Sequence, residues 1–241
     1  MAEAPAERSR RAELADNLAR VNERITAACR AAGRTDLPRL IVVTKFHPAS
    51  DVRLLADLGV TDVGENRDQE ASGKAAELEG IPLTWHFIGQ LQTNKAKSVV
   101  RYADTVHSVD RPALVAALGK AMESSGRDDD LRCLVQVNLD PRATTSGRGG
   151  ALPDEVPALA ELIEGTSRLA LAGVMAVAPL GGDPAAAFAR LAAVSERVRE
   201  RFPAATMVSA GMSQDLEAAV AAGATHLRIG TDVLGPRPTV R

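Results

Sequence analysis

The sequence predicts an α/β fold, a single (β/α)8 barrel preceded by one helix. Three observations predict it. About eight short apolar runs alternate with helix-like segments along the 241 residues, as layered α/β folds require. The longer runs are continuously apolar, as expected of parallel strands covered on both faces. The length is close to the roughly 250 residues of a barrel of this kind, whereas a doubly wound sheet usually stops at about five or six strands.

The elements follow in order. Leu14, Leu18, Val21, Ile25 and Ala28 recur at helical spacing and predict a helix over Leu14–Ala32, with Gly33 as its stop. Strands are predicted at Leu40–Thr44, Thr61–Gly64, Trp85–Gly89, Thr105–Val109, Leu134–Leu139, Leu171–Val177, Thr206–Ser209 and His226–Ile229. Helices are predicted between them at Asp51–Leu58, Asp68–Leu78, Lys95–Tyr102, Pro112–Met122, Pro153–Ile163, Pro184–Phe202 and Asp215–Ala222. Ser50, Asp110 ahead of Pro112, Asp183 ahead of Pro184, and Ser213 are the capping candidates. Gly59, Gly80, Gly165 and Gly223 mark the far ends. One domain is expected over residues 1–241, with 1–11 flexible and 140–152 a mobile loop that includes the glycine-rich stretch Arg142–Gly150.

Composition narrows the function classes. The 29 basic and 31 acidic residues leave a net charge of −2, so any anion site is local rather than a global field. Nucleic acid is therefore not an expected partner, and aromatic residues at 2% leave no stacking platform for single strands. No stretch approaches the roughly 20 apolar residues of a membrane span. Cys29 and Cys133 read as small buried hydrophobes in a reduced cytoplasm, not as a disulfide framework or a zinc site. His86, His107 and His226 fit no metal-ligand spacing and read as core or capping residues. No metal is expected.

Barrel active sites lie at the C-terminal ends of the strands. The polar residues there are Lys45, Glu65 with Asn66, Gln90, Ser108 with Asp110, Asn138, Ser209 and Arg228. A lysine at the top of the first strand is desolvated on several sides, which lowers its pKa and suits Schiff-base formation with a carbonyl compound. After the last strand, Gly230 and Thr231 let backbone N–H groups face a bound anion. Ser209, Gly211 and Ser213 follow strand seven, and the loops after strands seven and eight frequently form a barrel's phosphate site. Lysine and glycine loops together point to a phosphorylated carbonyl cofactor, with pyridoxal 5'-phosphate the foremost candidate. Arg228, which always carries its protons, would keep a pyridine nitrogen opposite it unprotonated.

Several blocks carry a resemblance. They are LIVVTKFHP around Lys45, VGENRDQE at Val63–Glu70, WHFIGQLQTNK at Trp85–Lys95, HSVD at His107–Asp110, SAGMSQDLEAAVAAG at Ser209–Gly223, and RIGT at Arg228–Thr231. Together they resemble the YggS/PROSC family of pyridoxal phosphate homeostasis proteins, in the family's order and over nearly the whole chain after Arg39. The resemblance implies a TIM barrel of the alanine racemase N-terminal-domain type and a Schiff base on Lys45. It implies Asn66 on the cofactor's ring side, Ser209, Gly230 and Thr231 on the phosphate, and Arg228 on the pyridine nitrogen. The chain departs from the family's pattern in reading FHP after Lys45 and in having Leu234 where an aromatic is usual. After Asn138 it has Arg142 and Arg148 in place of a lysine-containing stretch.

Three functions fit such a site: a cytoplasmic carrier that buffers and delivers the cofactor to apo-enzymes, an amino-acid racemase, and a cofactor-sensing regulatory partner. Racemization needs a proton-transfer group on each face of the ring. Lys45 supplies one, and the related racemases take the other from a tyrosine in a separate C-terminal domain, for which this chain leaves no room. Its one tyrosine, Tyr102, falls on a predicted helix away from the mouth. The expectation is therefore a monomeric cofactor-binding protein without robust turnover.

Overall fold

The computed structural model describes residues 5–140 and 149–236. Eight parallel strands close into a barrel in sequence order. They are β1 (Arg39–Val43), β2 (Asp62–Glu65), β3 (Thr84–Phe87), β4 (Thr105–Val109), β5 (Leu131–Gln136), β6 (Leu169–Met175), β7 (Met207–Ser209) and β8 (His226–Ile229). Closure is made where β1 pairs with β8 through Val42 and Ile229. The helices are α1 (Pro5–Ala31), α2 (Ala49–Asp57), α3 (Asp68–Glu77), α4 (Ala96–Val99), α5 (Pro112–Glu123), α6 (Val156–Glu164), α7 (Pro184–Arg201), α8 (Leu216–Ala221) and α9 (Thr231–Leu234).

Helix α1 is part of the barrel wall. A full outer ring needs a helix after β8, and only the four-residue α9 follows that strand. The apolar stripe Leu14, Leu18, Val21, Ile25 and Ala28 fills this place and joins the main core. Arg24 pairs with Glu217 of α8 and Asp232 of α9, and Asn17 Nδ2 donates to Val233 O. The helix begins at Pro5, so residues 5–11 are not the flexible arm expected. Alanine, glutamate and arginine there favour helix, and Arg10 anchors the first turns to Asp51 and to Leu234 O.

Alternation along the strands divides the barrel into two apolar regions. Val42, Val63 and Phe87 face the helices. Leu134, Ala172, Met175 and Met207 form a separate cluster. Ile41 and Val43 lie on the side of Gly64 where a Cβ would stand, and this is also the side of Asp62, which bonds His86.

Other elements differ from expectation at their ends. Of the four capping candidates, only Asp183 caps with its side chain, accepting from Ala185 N. Ser50 lies inside α2, while Arg111 and Asp215 hold the cap positions expected of Asp110 and Ser213. Gly165 ends α6 with φ −80°, without the left-handed turn that Gly59, Gly80 and Gly223 adopt. The fifth strand runs earlier than expected, Leu131–Gln136, because Val137 leaves the ladder to bridge Ala151. Residues 141–148 of the expected mobile loop, with Arg142 and Arg148, lie outside the described residues. Its far end is anchored, since Ala151 N donates to Gln136 O and Asn138 N donates to Ala151 O.

Candidate functional site

Strand β1 delivers Lys45 to the mouth. Thr44 N still donates to Gly64 O, so the ladder continues one residue past β1. Thr44 Oγ1 turns outward to Glu65 Oε1 at 2.6 Å. Alternation therefore carries half-buried Lys45 to the inner side, above Ile41 and Val43. A tight turn follows at once, closed by His47 N donating to Thr44 O. Its third residue, Phe46, has φ +70°, a left-handed conformation that costs a bulky residue of order 1–3 kcal/mol.

The strain is held by a buried ionic cluster on α3. Phe46 N donates to Glu70 Oε1, and the Arg67 guanidinium sits 5.2 Å from the Phe46 ring. Lys74 Nζ donates to Thr44 O, Glu65 Oε1 and Glu70 Oε1, all within 2.7–2.8 Å. Glu65 Oε2 is buried without a hydrogen-bond partner among the described residues. Burial raises the Glu65 pKa, against the opposing charge and hydrogen bond of Lys74. Sequence reasoning missed Lys74. Its signal was the Glu70–Lys74 spacing on a predicted helix, which usually marks an exposed surface pair.

Strands β7 and β8 bring Ser209, Arg228, Gly230 and Thr231 together. Arg228 is 4% exposed, and it donates from Nη1 to Ser209 Oγ at 2.6 Å and from Nη2 to Ala176 O at 2.9 Å. Burial lowers its pKa to about 10, still far above neutrality. Two residues on, Gly230 stands against β1. A Cβ there would come within 3.1 Å of Val43 O, so only glycine leaves this gap open. Exposed Thr231 begins α9, where the first N–H groups of a helix have no intrahelical acceptor.

Ser209 is placed differently from the expectation. It has no exposed surface, and its hydroxyl lies between Arg228 and His107 Nδ1 at 2.6 and 2.9 Å. It braces Arg228 rather than facing the mouth. Asn66, at the end of β2, is half-buried. Its backbone is fixed by contact with Gly89, where a Cβ would fall 2.1 Å from Asn66 O. Since Val43 pairs with Gly64, Lys45 and Asn66 stand two residues above paired positions. A cavity of about 470 Å³ opens beside this rim and is lined by Asn66, Arg67, Glu70, Gln90 and Lys95 among others. It reaches Asn66 but not the rest of the expected set.

Below Arg228 the barrel is polar. His107 Nε2 meets His86 Nδ1 at 2.9 Å, and His86 Nε2 meets Asp62 Oδ1 at 3.0 Å. These histidines occupy the core, as their sequence positions indicated. Burial opposes charge on Asp62, but hydrogen bonds from His86 and Thr61 and the charge of Arg39 outweigh it and hold the pKa at about 2, from an ordinary 3.8. A depressed carboxyl pKa adds stability that is present above the unfolded value and is lost as pH falls through the folded one. The difference is worth about 2 kcal/mol. Glu65, with its raised pKa, takes up its proton earlier and offsets part of the loss. Urea unfolding from pH 5 to pH 2 is therefore expected to show a stability loss that Asp62→Asn flattens. An unchanged slope in the variant would contradict the assignment.

The donor set fits pyridoxal 5'-phosphate. An amine stands at the end of β1, a gap that a Cβ would fill lies beside free helix-start amides, and a buried guanidinium keeps N–H groups beyond the two already bonded. The chain matches the alanine racemase N-terminal domain family over residues 13–238. It is 42% identical to a pyridoxal phosphate homeostasis protein of Mycobacterium tuberculosis, covering 95% of this chain and 94% of that one. The Escherichia coli protein of the same name is 36% identical over 93% and 97%. Among solved structures, PipY of Synechococcus elongatus with PLP bound is similar at 34% identity and a TM-score of 0.78, over 92% of this chain and all of that one. Alanine racemase from Streptomyces coelicolor shares the fold at 17% identity and a TM-score of 0.72, with 58% of its chain covered.

Proposed function

Because the chain belongs to the pyridoxal phosphate homeostasis proteins, within the alanine racemase N-terminal domain family, we propose that it binds pyridoxal 5'-phosphate and buffers and delivers it inside the cell. Bound there, the cofactor supplies an aldehyde that a lysine amine captures covalently. The observation that carries this reading is the convergence of three strand ends: Lys45 after β1, Arg228 on β8, and Gly230 with Thr231 closing against Val43.

The residues have separate tasks. Lys45 holds the aldehyde carbon, and the turn at Phe46 fixes where its stem leaves the strand. The Gly230 gap and the amides opening α9 hold the phosphate, helped by the Thr231 hydroxyl. Arg228 donates to the pyridine nitrogen and keeps it unprotonated, which limits how far the ring withdraws electrons. Asn66 borders the ring from β2. Ser209 steadies Arg228.

Storage and delivery suit this set better than conversion of amino acids. Tyr102, the one tyrosine in the sequence, lies in the turn after α4 with its hydroxyl 3.5 Å from Asp68 Oδ1 and its ring edge-on to Trp85. We place the protein in the cytoplasm, where its buried, unpaired Cys29 and Cys133 stay reduced. The loaded protein is expected to restore activity to an apo-enzyme that needs the cofactor, and to turn over L- and D-amino acids negligibly in steady-state assay. Turnover at about 1–1,000 per second would overturn the carrier reading.

A further inference from the structure

Five groups form a continuous hydrogen-bonded chain through the barrel interior, one from each of five strands: Asp62, His86, His107, Ser209 and Arg228. Each is buried, and His107 and Ser209 have no exposed surface at all. The two ends have fixed roles. A guanidinium can only donate, and an ionised carboxylate can only accept.

The direction then propagates without a choice. Asp62 Oδ1 accepts, so His86 carries its proton on Nε2. A neutral His86 then has a bare Nδ1, which accepts from His107 Nε2–H. His107 Nδ1 is in turn bare and accepts the Ser209 hydroxyl proton. Ser209 Oγ accepts from Arg228 Nη1–H. Every donor points from Arg228 toward Asp62.

We propose that Asp62, His86, His107 and Ser209 are positioning residues, a one-way hydrogen-bond relay that holds Arg228 as a fixed cationic donor at the barrel mouth. A buried guanidinium without a carboxylate in contact is costly. The relay supplies an acceptor whose lone pair is held toward Arg228, ending on the buried negative charge of Asp62. It also consumes the Ser209 proton, which is why that hydroxyl has none to give a phosphate. Other charged or titratable groups reach the imidazoles from β1 (Arg39), β5 (Arg132) and β8 (His226). The arginines and the burial all disfavour protonation, so both relay imidazoles stay neutral. That Arg228 serves a pyridine ring rests on the function proposed above; the direction of the relay does not.

The test is nitrogen NMR of the full-length, cofactor-free protein. With four histidines in the sequence, single replacements assign each imidazole. His86 and His107 are expected as Nε2–H tautomers, unchanged between about pH 5.5 and pH 8.5, a range that spans the ordinary imidazole pKa. In Ser209→Ala, His107 loses the donor to Nδ1 and both tautomers appear. That variant also releases pyridoxal 5'-phosphate about tenfold faster, as loss of one charge-assisted hydrogen bond predicts. Ser209→Thr, which keeps the hydroxyl, restores the single tautomer.

An Nδ1–H tautomer on either wild-type imidazole, or titration near neutrality, would overturn the relay. The wild-type spectrum settles this even where Ser209→Ala does not fold. A wild-type chain with the expected tautomers that takes up no pyridoxal 5'-phosphate supports the relay and overturns the binding reading. A chain that takes it up with other tautomers does the reverse.

Discussion

Lys45→Ala is expected to abolish covalent retention of pyridoxal 5'-phosphate while leaving the barrel folded. Lys45 is half-buried at the end of β1, and no core contact depends on it. The phosphate gap at Gly230 and the donor at Arg228 remain, so weak reversible binding persists. Loss of the covalent link should weaken retention by at least about a hundredfold, or about 3 kcal/mol. Borohydride reduction followed by peptide mapping checks this directly. The wild-type protein should carry one label, on Lys45, and the variant none. The other lysines are internal controls. Lys74 is committed to three oxygens beneath the turn, and Lys95 lies 3.8 Å from Asp68. A label on either, or yellow colour that survives in the variant, would displace Lys45 from the site.

The second large effect is on stability. Lys74→Met is expected to destabilise the fold by about 3–5 kcal/mol, the usual consequence of leaving a buried charge without its partner. Glu65 would keep only Thr44 as a donor, with Oε2 already unpartnered. Glu70 would lose the ammonium that shares its Oε1 with Phe46 N. The left-handed turn at Phe46 should then relax, and capture of the cofactor by Lys45 should slow. Urea unfolding measures the first effect and stopped-flow absorbance the second. The double variant Lys74→Met, Glu65→Leu removes both buried charges and is expected to recover much of the lost stability. A loss below about 1 kcal/mol in Lys74→Met would mean that the cluster does not hold the turn.

The fold and part of the site were legible in the sequence because they follow from local periodicity. Eight apolar runs at regular spacing leave few alternatives to a closed parallel barrel, and strands Thr105–Val109 and His226–Ile229 fall where the runs place them. Lys45, Asn66, Arg228, Gly230 and Thr231 could be named because barrel chemistry gathers at strand ends and because their motifs resemble one family. Helix ends were less legible. Ser50, Asp110 and Ser213 are good capping residues by type, but the chain enters each helix at the angle its strand and loop impose. That angle puts Pro48, Arg111 and Asp215 at the cap instead.

By itself, then, the sequence determined the barrel, the amine on its first strand and the glycine gap on its last. These depend on residue type and on spacing within one segment. Only the tertiary structure decided that α1 supplies the missing piece of the helical ring, since that depends on Arg10, Asn17 and Arg24 meeting residues some 40 to 220 positions away. It likewise decided the roles of Lys74, His86, His107 and Ser209. Their chemistry is set by neighbours on other strands and helices. A lysine paired at helical spacing is a solvated surface group or a buried clamp according to what packs over it. A serine after a strand faces a phosphate or an arginine according to which way barrel closure turns it. Burial sets the energetic weight of each hydrogen bond, and burial is a property of the closed barrel.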